Sequence, residues 1–227
     1  MKKFILIVMM ITSFYAFIQP AQKIKSGIIE YQMTFEGLPD DDPTSAMFQN
    51  STMKICFTPD RTAMVMDMGI MNTTIISNVK EKTGIMLMNM MGNKMAIDLN
   101  EMDLKAVSDK KAANNIEVTP TNDTKEIAGY ICKKYLVTMI QDDNVLNMPV
   151  WVTDAIQPET RYNIDDFQSK FEGMPLEYNI MMNGMNIKLI AQDITLNKID
   201  ESVFNIPNDY KRITMKEYMN MMQGIGE

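Results

Sequence analysis

From Gly27 to Glu36 the apolar residues Ile29, Tyr31, Met33 and Phe35 alternate with Glu30, Gln32, Thr34 and Glu36. A period of two over that length predicts a strand with one buried face. The stretch Leu38 to Pro43 breaks the alternation with prolines and aspartates and predicts a loop. Met53, Ile55 and Phe57 then share a face, a Pro59-Asp60 turn follows, and Met64, Met66 and Met68 return in phase, a β-hairpin pattern. A strand over 72–78 and a charged turn over 79–83 lead to two more strands, 84–90 and 94–98, joined through Met91-Gly92-Asn93. Period-two runs resume at about 130–139 and at 145–153, where Leu146, Met148, Val150 and Val152 fall on one face. Two further strands, 175–182 and 185–196, flank Asn183-Gly184, the dipeptide most strongly associated with tight hairpins.

Helical spacing is rarer. The segment Asn100 to Asn114 has helix-forming composition but a weak apolar stripe. Ile164, Phe167 and Phe171 fall on one helical face between Asn163 as N-cap and Gly173 as C-terminal cap, with Pro175 beyond. Thr214 and Glu217 form a capping box ahead of Met215, Tyr218, Met219 and Met222. Nine or ten strands joined mostly as hairpins, with two or three short helices, predict an α+β, mostly antiparallel fold with the helices gathered on one side of the sheet.

The N-terminus follows a different pattern. Met1-Lys2-Lys3 precedes an apolar run from Phe4 to Phe17 and then Ile18-Gln19-Pro20-Ala21, the n-region, h-region and exit of a secretory signal peptide. The run is too short to cross a bilayer as a helix, which takes about 20 apolar residues. Residues 1–21 are therefore expected to be removed, leaving 22–227 as a single domain with no stable membrane insertion, in the periplasm or outside the cell. With Lys2 and Lys3 gone, 20 basic residues stand against 29 acidic ones, a net charge of −9. A chain so acidic, with no basic cluster, is not built to bind nucleic acid.

Composition sharpens the chemistry. There is no His, which removes imidazole bases, His-based metal sites and Ser-His or Cys-His nucleophiles. Ser108 and Lys111 make an S-x-x-K and Lys82-Thr83-Gly84 a K-T-G, but the order is reversed from that of penicillin-recognising enzymes and an S-D-N is missing. Asp40-Asp41-Asp42, Asp142-Asp143 and Asp165-Asp166 lack calcium-loop spacing and suit solvated turns. The expectation is a non-enzyme with no cofactor and no metal site. Cys56 and Cys132 either pair as a disulfide in an oxidising compartment or stay as two buried thiols.

Methionine is the anomaly, 26 residues against 10 Leu. Its densest runs, Met64/Met66/Met68 and Met86/Met88/Met90, alternate strictly along strands, as a buried sheet face requires. Three readings stand. The residues fill a core; they line a pliable pocket, since an unbranched, polarizable side chain repacks around varied acyl chains; or, least favoured without His, thioethers bind Cu(I).

The segment Thr124-Lys125-Glu126-Ile127-Ala128-Gly129-Tyr130-Ile131-Cys132-Lys133-Lys134-Tyr135, followed by Pro149-Val150-Trp151-Val152-Thr153, is similar to the signature of an uncharacterised envelope family, domain of unknown function 4412. Gly27-Ile28-Ile29-Glu30-Tyr31 and the ending Ser202 to Tyr210 also resemble that family. The resemblance implies a Gram-negative envelope protein with a fold like the LolA and LolB lipoprotein carriers: a curved sheet or unclosed half-barrel with helices on its concave side. The expected partner is a hydrophobic small molecule or a lipidated protein, held by Met64, Met66, Met68, Met86, Met88 and Met90. The alternative is an envelope interaction module with a packed Met-rich core.

Overall fold

The computed structural model describes residues 22–37, 43–108, 116–141, 144–158, 170–182 and 185–224. Its strands are β1 (Gln22–Ile24), β2 (Gly27–Glu36), β3 (Thr52–Phe57), β4 (Arg61–Asp67), β5 (Met71–Asn78), β6 (Thr83–Met90), β7 (Asn93–Leu99), β8 (Ile116–Ile127), β9 (Tyr130–Gln141), β10 (Asn144–Thr153), β11 (Ile156–Pro158), β12 (Met174–Met182), β13 (Met185–Leu196) and β14 (Lys211–Thr214). Twelve of them form one sheet in the order β14-β7-β6-β5-β4-β3-β2-β13-β12-β10-β9-β8, antiparallel except for the β14–β7 pair. β1 and β11 form a separate parallel ribbon. The sheet is unclosed, and the fold is the mostly antiparallel α+β class that the alternation predicts, with the curved sheet that the resemblance implies.

Every strand expected from period-two spacing forms. Several elements had no clear pattern, the three-residue β1 and β11 among them. β8 carries Pro120, Asn122 and Asp123 at its centre, and its pairing with β9 shifts register between Pro120 and Thr124. A sheet tolerates proline and a bulge on an edge strand, where no neighbour needs the missing N–H. β14 is four residues long with only Ile213 buried, too short for periodicity to register. The helix α1 (Pro43–Phe48) begins where a loop is expected; proline suits a first helical position, and Phe48 stacks on Phe35 with ring centroids 4.5 Å apart.

The other helices are α2 (Glu101–Ser108) and α3 (Met215–Gly224). The capping box of α3 is in place, with the Glu217 N–H donating to Thr214 Oγ1 (3.2 Å) and the Thr214 N–H to a Glu217 carboxylate oxygen (2.7 Å). The helix expected over 163–173 lies outside the described residues apart from its last four. There Phe171 is buried, and Gly173 is needed for a different reason than capping: a Cβ on it would stand 2.1 Å from the Thr153 carbonyl oxygen. Residues 1–21, expected to be a signal peptide, and the Asn183-Gly184 turn also lie outside the described residues, although Met182 pairs with Met185 across that turn.

Alternation sorts the sheet into two surfaces. Ile29, Tyr31 and Met33 of β2 meet Leu176, Tyr178, Ile187, Leu189, Val137 and Val150 from the far strands in one large core, on the inner side of the curve. Tyr31 Oη, wholly buried, donates to the Pro175 carbonyl at 2.9 Å and ties β2 to β12 across β13. The outer side of β3–β7 is covered by the segment after β13, whose 3₁₀ turn Glu201–Phe204 presents Phe204 to Cys56, Ala63, Ile76, Leu87 and Ala96. That segment is pinned at both ends: Arg61 pairs with Glu201 and lies 4.6 Å over the Phe204 ring, and Lys94 pairs with Asp209 beside Tyr210.

The disulfide alternative is corrected. Cys56 and Cys132 are both free and buried. Cys56 belongs to the outer cluster and Cys132 to the inner core, because the strand pleat points them into different apolar layers.

Candidate functional site

The two Met runs expected to line a site belong to β4 and β6 and are brought onto one surface by β5 between them. Strand register sets the arrangement. One row runs Ile55–Met64–Ile75–Met86–Ile97–Ile213 across six strands, and the next runs Met53–Met66–Thr73–Met88–Met95. A third, shorter row pairs Met71 with Met90. All six expected residues lie on or beside these rows, Met68 just beyond the end of β4, where its N–H donates to the Met71 carbonyl at 3.0 Å.

Burial grades along this surface. Met66, Met68 and Met88 are buried, Met64 and Met86 are half-buried, and Met90 is exposed. Met71 and Met95, which lie outside the dense triplets, are also half-buried. Their phase with Thr73/Ile75 and with Ile97 is the signal that assigns them to this face. Two packed regions flank the rows. On one side is the large inner core, with Met53, Met66 and Met68; on the other, Ile75, Met88, Ile97, Leu99 and Ile213 pack with Leu104 of α2 and with Met215 and Tyr218 at the start of α3. Met64 touches both regions. Between them runs a partly exposed band, called the trough below, of Met64, Met71, Met86 and Met95 packed against one or both regions, with the buried Thr73 as its polar member.

Such a surface offers dispersion contacts and rotamer freedom rather than bond-making chemistry. Among the described residues no three His, Cys, Asp or Glu side chains gather as a metal site. Burial pushes the Cys56 thiol up to about 11 and the Cys132 thiol up to about 12, so neither is an available thiolate at neutral pH.

A cleft of about 590 Å³ opens at the far end of β7, between α2 and α3, and is lined by Leu99, Met215 and Met219 together with polar Thr83, Asn100 and Asp103. Its acids are already engaged. Asp98 accepts both Nε and an Nη of Arg212 at 2.6–3.0 Å, and an Asp103 oxygen accepts the Asn100 N–H at 2.9 Å. The Trp151 face is likewise committed, with Lys125 4.2 Å above the ring and bonded to Glu177 at 2.5 Å.

Compared with known proteins, residues 35–210 match the family described as Domain of unknown function (DUF4412). The match includes β3–β10, β12 and β13, and hence the whole Met surface apart from Ile213. No curated protein matches the chain. Among solved structures, the chain is similar to a beta-barrel-like protein of domain of unknown function DUF1849 from Brucella abortus, at 7% identity and a TM-score of 0.34, covering 78% of this chain and 99% of that one.

Proposed function

The chain belongs to the DUF4412 family, and we propose that it is a non-enzymatic extracytoplasmic protein that holds a hydrophobic ligand, a lipid or a lipoprotein acyl chain, against the Met-lined inner surface of its open sheet. The observation that carries the reading is the half-buried trough. Met64, Met71, Met86 and Met95 keep solvent contact on the face shared with α2 and α3, beside fully packed cores, on four adjacent strands. A core finished for stability alone would bury these side chains, since each apolar side chain fully removed from water contributes about 1.5–3 kcal/mol. The likeness to LolA- and LolB-type carriers is part of this proposal; the unclosed sheet with α2 and α3 on its inner side supports it. The secretory pattern of residues 1–21 supports the location.

Titration of the purified protein with a fluorescent fatty-acyl probe, alongside native mass spectrometry, tests the reading. Saturable binding competed by unlabelled fatty acid is the expected result; absence of binding rejects it. The burial of Met66, Met68 and Met88 favours the second reading, an interaction module with a packed Met-rich core. That reading predicts no probe binding and no added mass.

A further inference from the structure

The apolar surface does not stop at the third Met row. At the end of the sheet where β4 turns into β5 and β6 into β7, four apolar side chains stand out into solvent: Met47 of α1 (48% exposed), Ile70 (47%), Met90 (43%) and Met91 (82%). They are neighbours. The Met91 N–H donates to the Ile70 carbonyl at 3.2 Å, and a Cβ on Gly69 would lie 2.9 Å from the Met47 carbonyl oxygen. Met91 is also held at φ 52°, in the left-handed region, followed by Gly92 at φ 90°. A two-residue hairpin turn with both residues left-handed normally takes Asn-Gly or Asp-Gly. Here the first position carries a long apolar side chain pointed at water, a strained choice with no folding benefit.

We propose that this rim is a docking edge for the surface of a neutral, zwitterionic bilayer. Three observations select that occupant. The apolar groups are carried by three separate segments, α1, the β4–β5 turn and the β6–β7 turn, rather than by one helix face or one strand edge that a second helix or strand would pair with. Four side chains are also far short of the roughly 20–30 residues a side that a stable protein interface uses, whereas shallow insertion of a few apolar groups suits reversible membrane contact. Finally, the segments 43–53, 67–72 and 89–93 carry a single charged residue, Asp67, and no Lys or Arg, so anionic headgroups gain nothing there. Asn72, Asn89 and Asn93 bring amide groups to the same end of the sheet. The rim leads directly into the trough, because Met90 pairs with Met71 and the next row begins at Met88 and Thr73. The purpose of docking, exchange of an acyl chain between bilayer and trough, rests on the reading of the trough as an acyl site; the docking itself does not.

Flotation with phosphatidylcholine vesicles tests it. The protein is expected to float with the vesicles, and the double variant Met91→Asn/Ile70→Asn to lose about tenfold in bound fraction. Asn is well tolerated at a left-handed turn position, so the variant should keep its thermal transition. Met221→Gln, on an exposed face of α3 at the opposite end of β7, should float as the parent does. Adding phosphatidylglycerol should not raise binding. The proposal is overturned if the parent protein stays with the soluble fraction, if the double variant floats unchanged, if Met221→Gln falls equally, or if binding climbs with anionic lipid at low salt. A concentration-dependent dimer dissolved by the double variant would also overturn it, assigning the rim to a second copy. Acyl-probe titration in vesicle-free solution reports on the trough separately, so failure of one reading is distinguishable from failure of the other.

Discussion

Met66 and Met88 lie on one row of the sheet two strands apart, each directly opposite Thr73 of the strand between them. That relationship turns two separate Met runs into one surface. It also places the half-buried Met64 and Met86 in the adjacent row, on either side of Ile75.

Met86→Glu should weaken acyl-probe binding by about tenfold or more, because a carboxylate in the trough removes apolar contact and must stay hydrated. The same change should cost only about 1–2 kcal/mol in urea unfolding, since the side chain is half-buried rather than enclosed. Met86→Leu keeps volume and polarity and should bind nearly as the parent does.

Tyr31→Phe removes the buried hydrogen bond to the Pro175 carbonyl and leaves that oxygen without its donor. The expected loss is about 1–3 kcal/mol of stability by denaturant titration. Probe affinity should be little changed, because Tyr31, opposite Met53 at the end of the second Met row, is wholly buried in the packed core.

The cysteines should be inert to thiol reagents at pH 8 in the folded protein and react at once on unfolding. Burial raises both thiols, to about 11 and about 12, above the ordinary value of about 8.5. The folded state therefore favours the protonated form. That contribution to stability is complete below about pH 8.5 and is lost as pH rises through the folded values. Melting temperature should fall between about pH 9 and 12, less steeply in a Cys56→Ala/Cys132→Ala variant than in the parent.

Ala128 and Gly129 form the two-residue turn between β8 and β9 with φ of 48° and 81°. A non-glycine residue in that region is strained, so Ala128→Asn should stabilise by about 0.5–1 kcal/mol, while Gly129→Ala should destabilise by about 1 kcal/mol or more. Thermal melts of the two variants should move in opposite directions.

Phe204→Ala should cost about 3–5 kcal/mol, the usual range for an aromatic ring deleted from a core. The ring fills the outer cluster over β3–β7 and carries the Arg61 guanidinium on its exposed face. The loss should appear in denaturant unfolding, with inner-surface probe binding retained under native conditions.

What could be read from the chain is what local periodicity controls. Ile29/Tyr31/Met33/Phe35 announce a half-buried strand, Thr214 and Glu217 announce a helix start, and both appear as read. The alternation of Met64/Met66/Met68 and Met86/Met88/Met90 gives a shared face within each strand, but it says nothing about which strands are neighbours. Only the register through Thr73 and Ile75 makes the two runs one surface. Strands without alternation stayed hidden: β8 because Pro120, Asn122 and Asp123 occupy a bulged edge, β14 because it is short and pairs in parallel with β7. Cys56 and Cys132 carry no local signal of their separation, since their clusters are set by long-range pairing.

The most direct test of an acyl-binding trough is photo-crosslinking with a diazirine-bearing fatty acid, followed by peptide mapping. The account predicts labels concentrated on peptides containing Met64, Met86 and Met95, competed by unlabelled fatty acid and abolished by Met86→Glu. Labelling that avoids these strands, or that no competitor reduces, would contradict it.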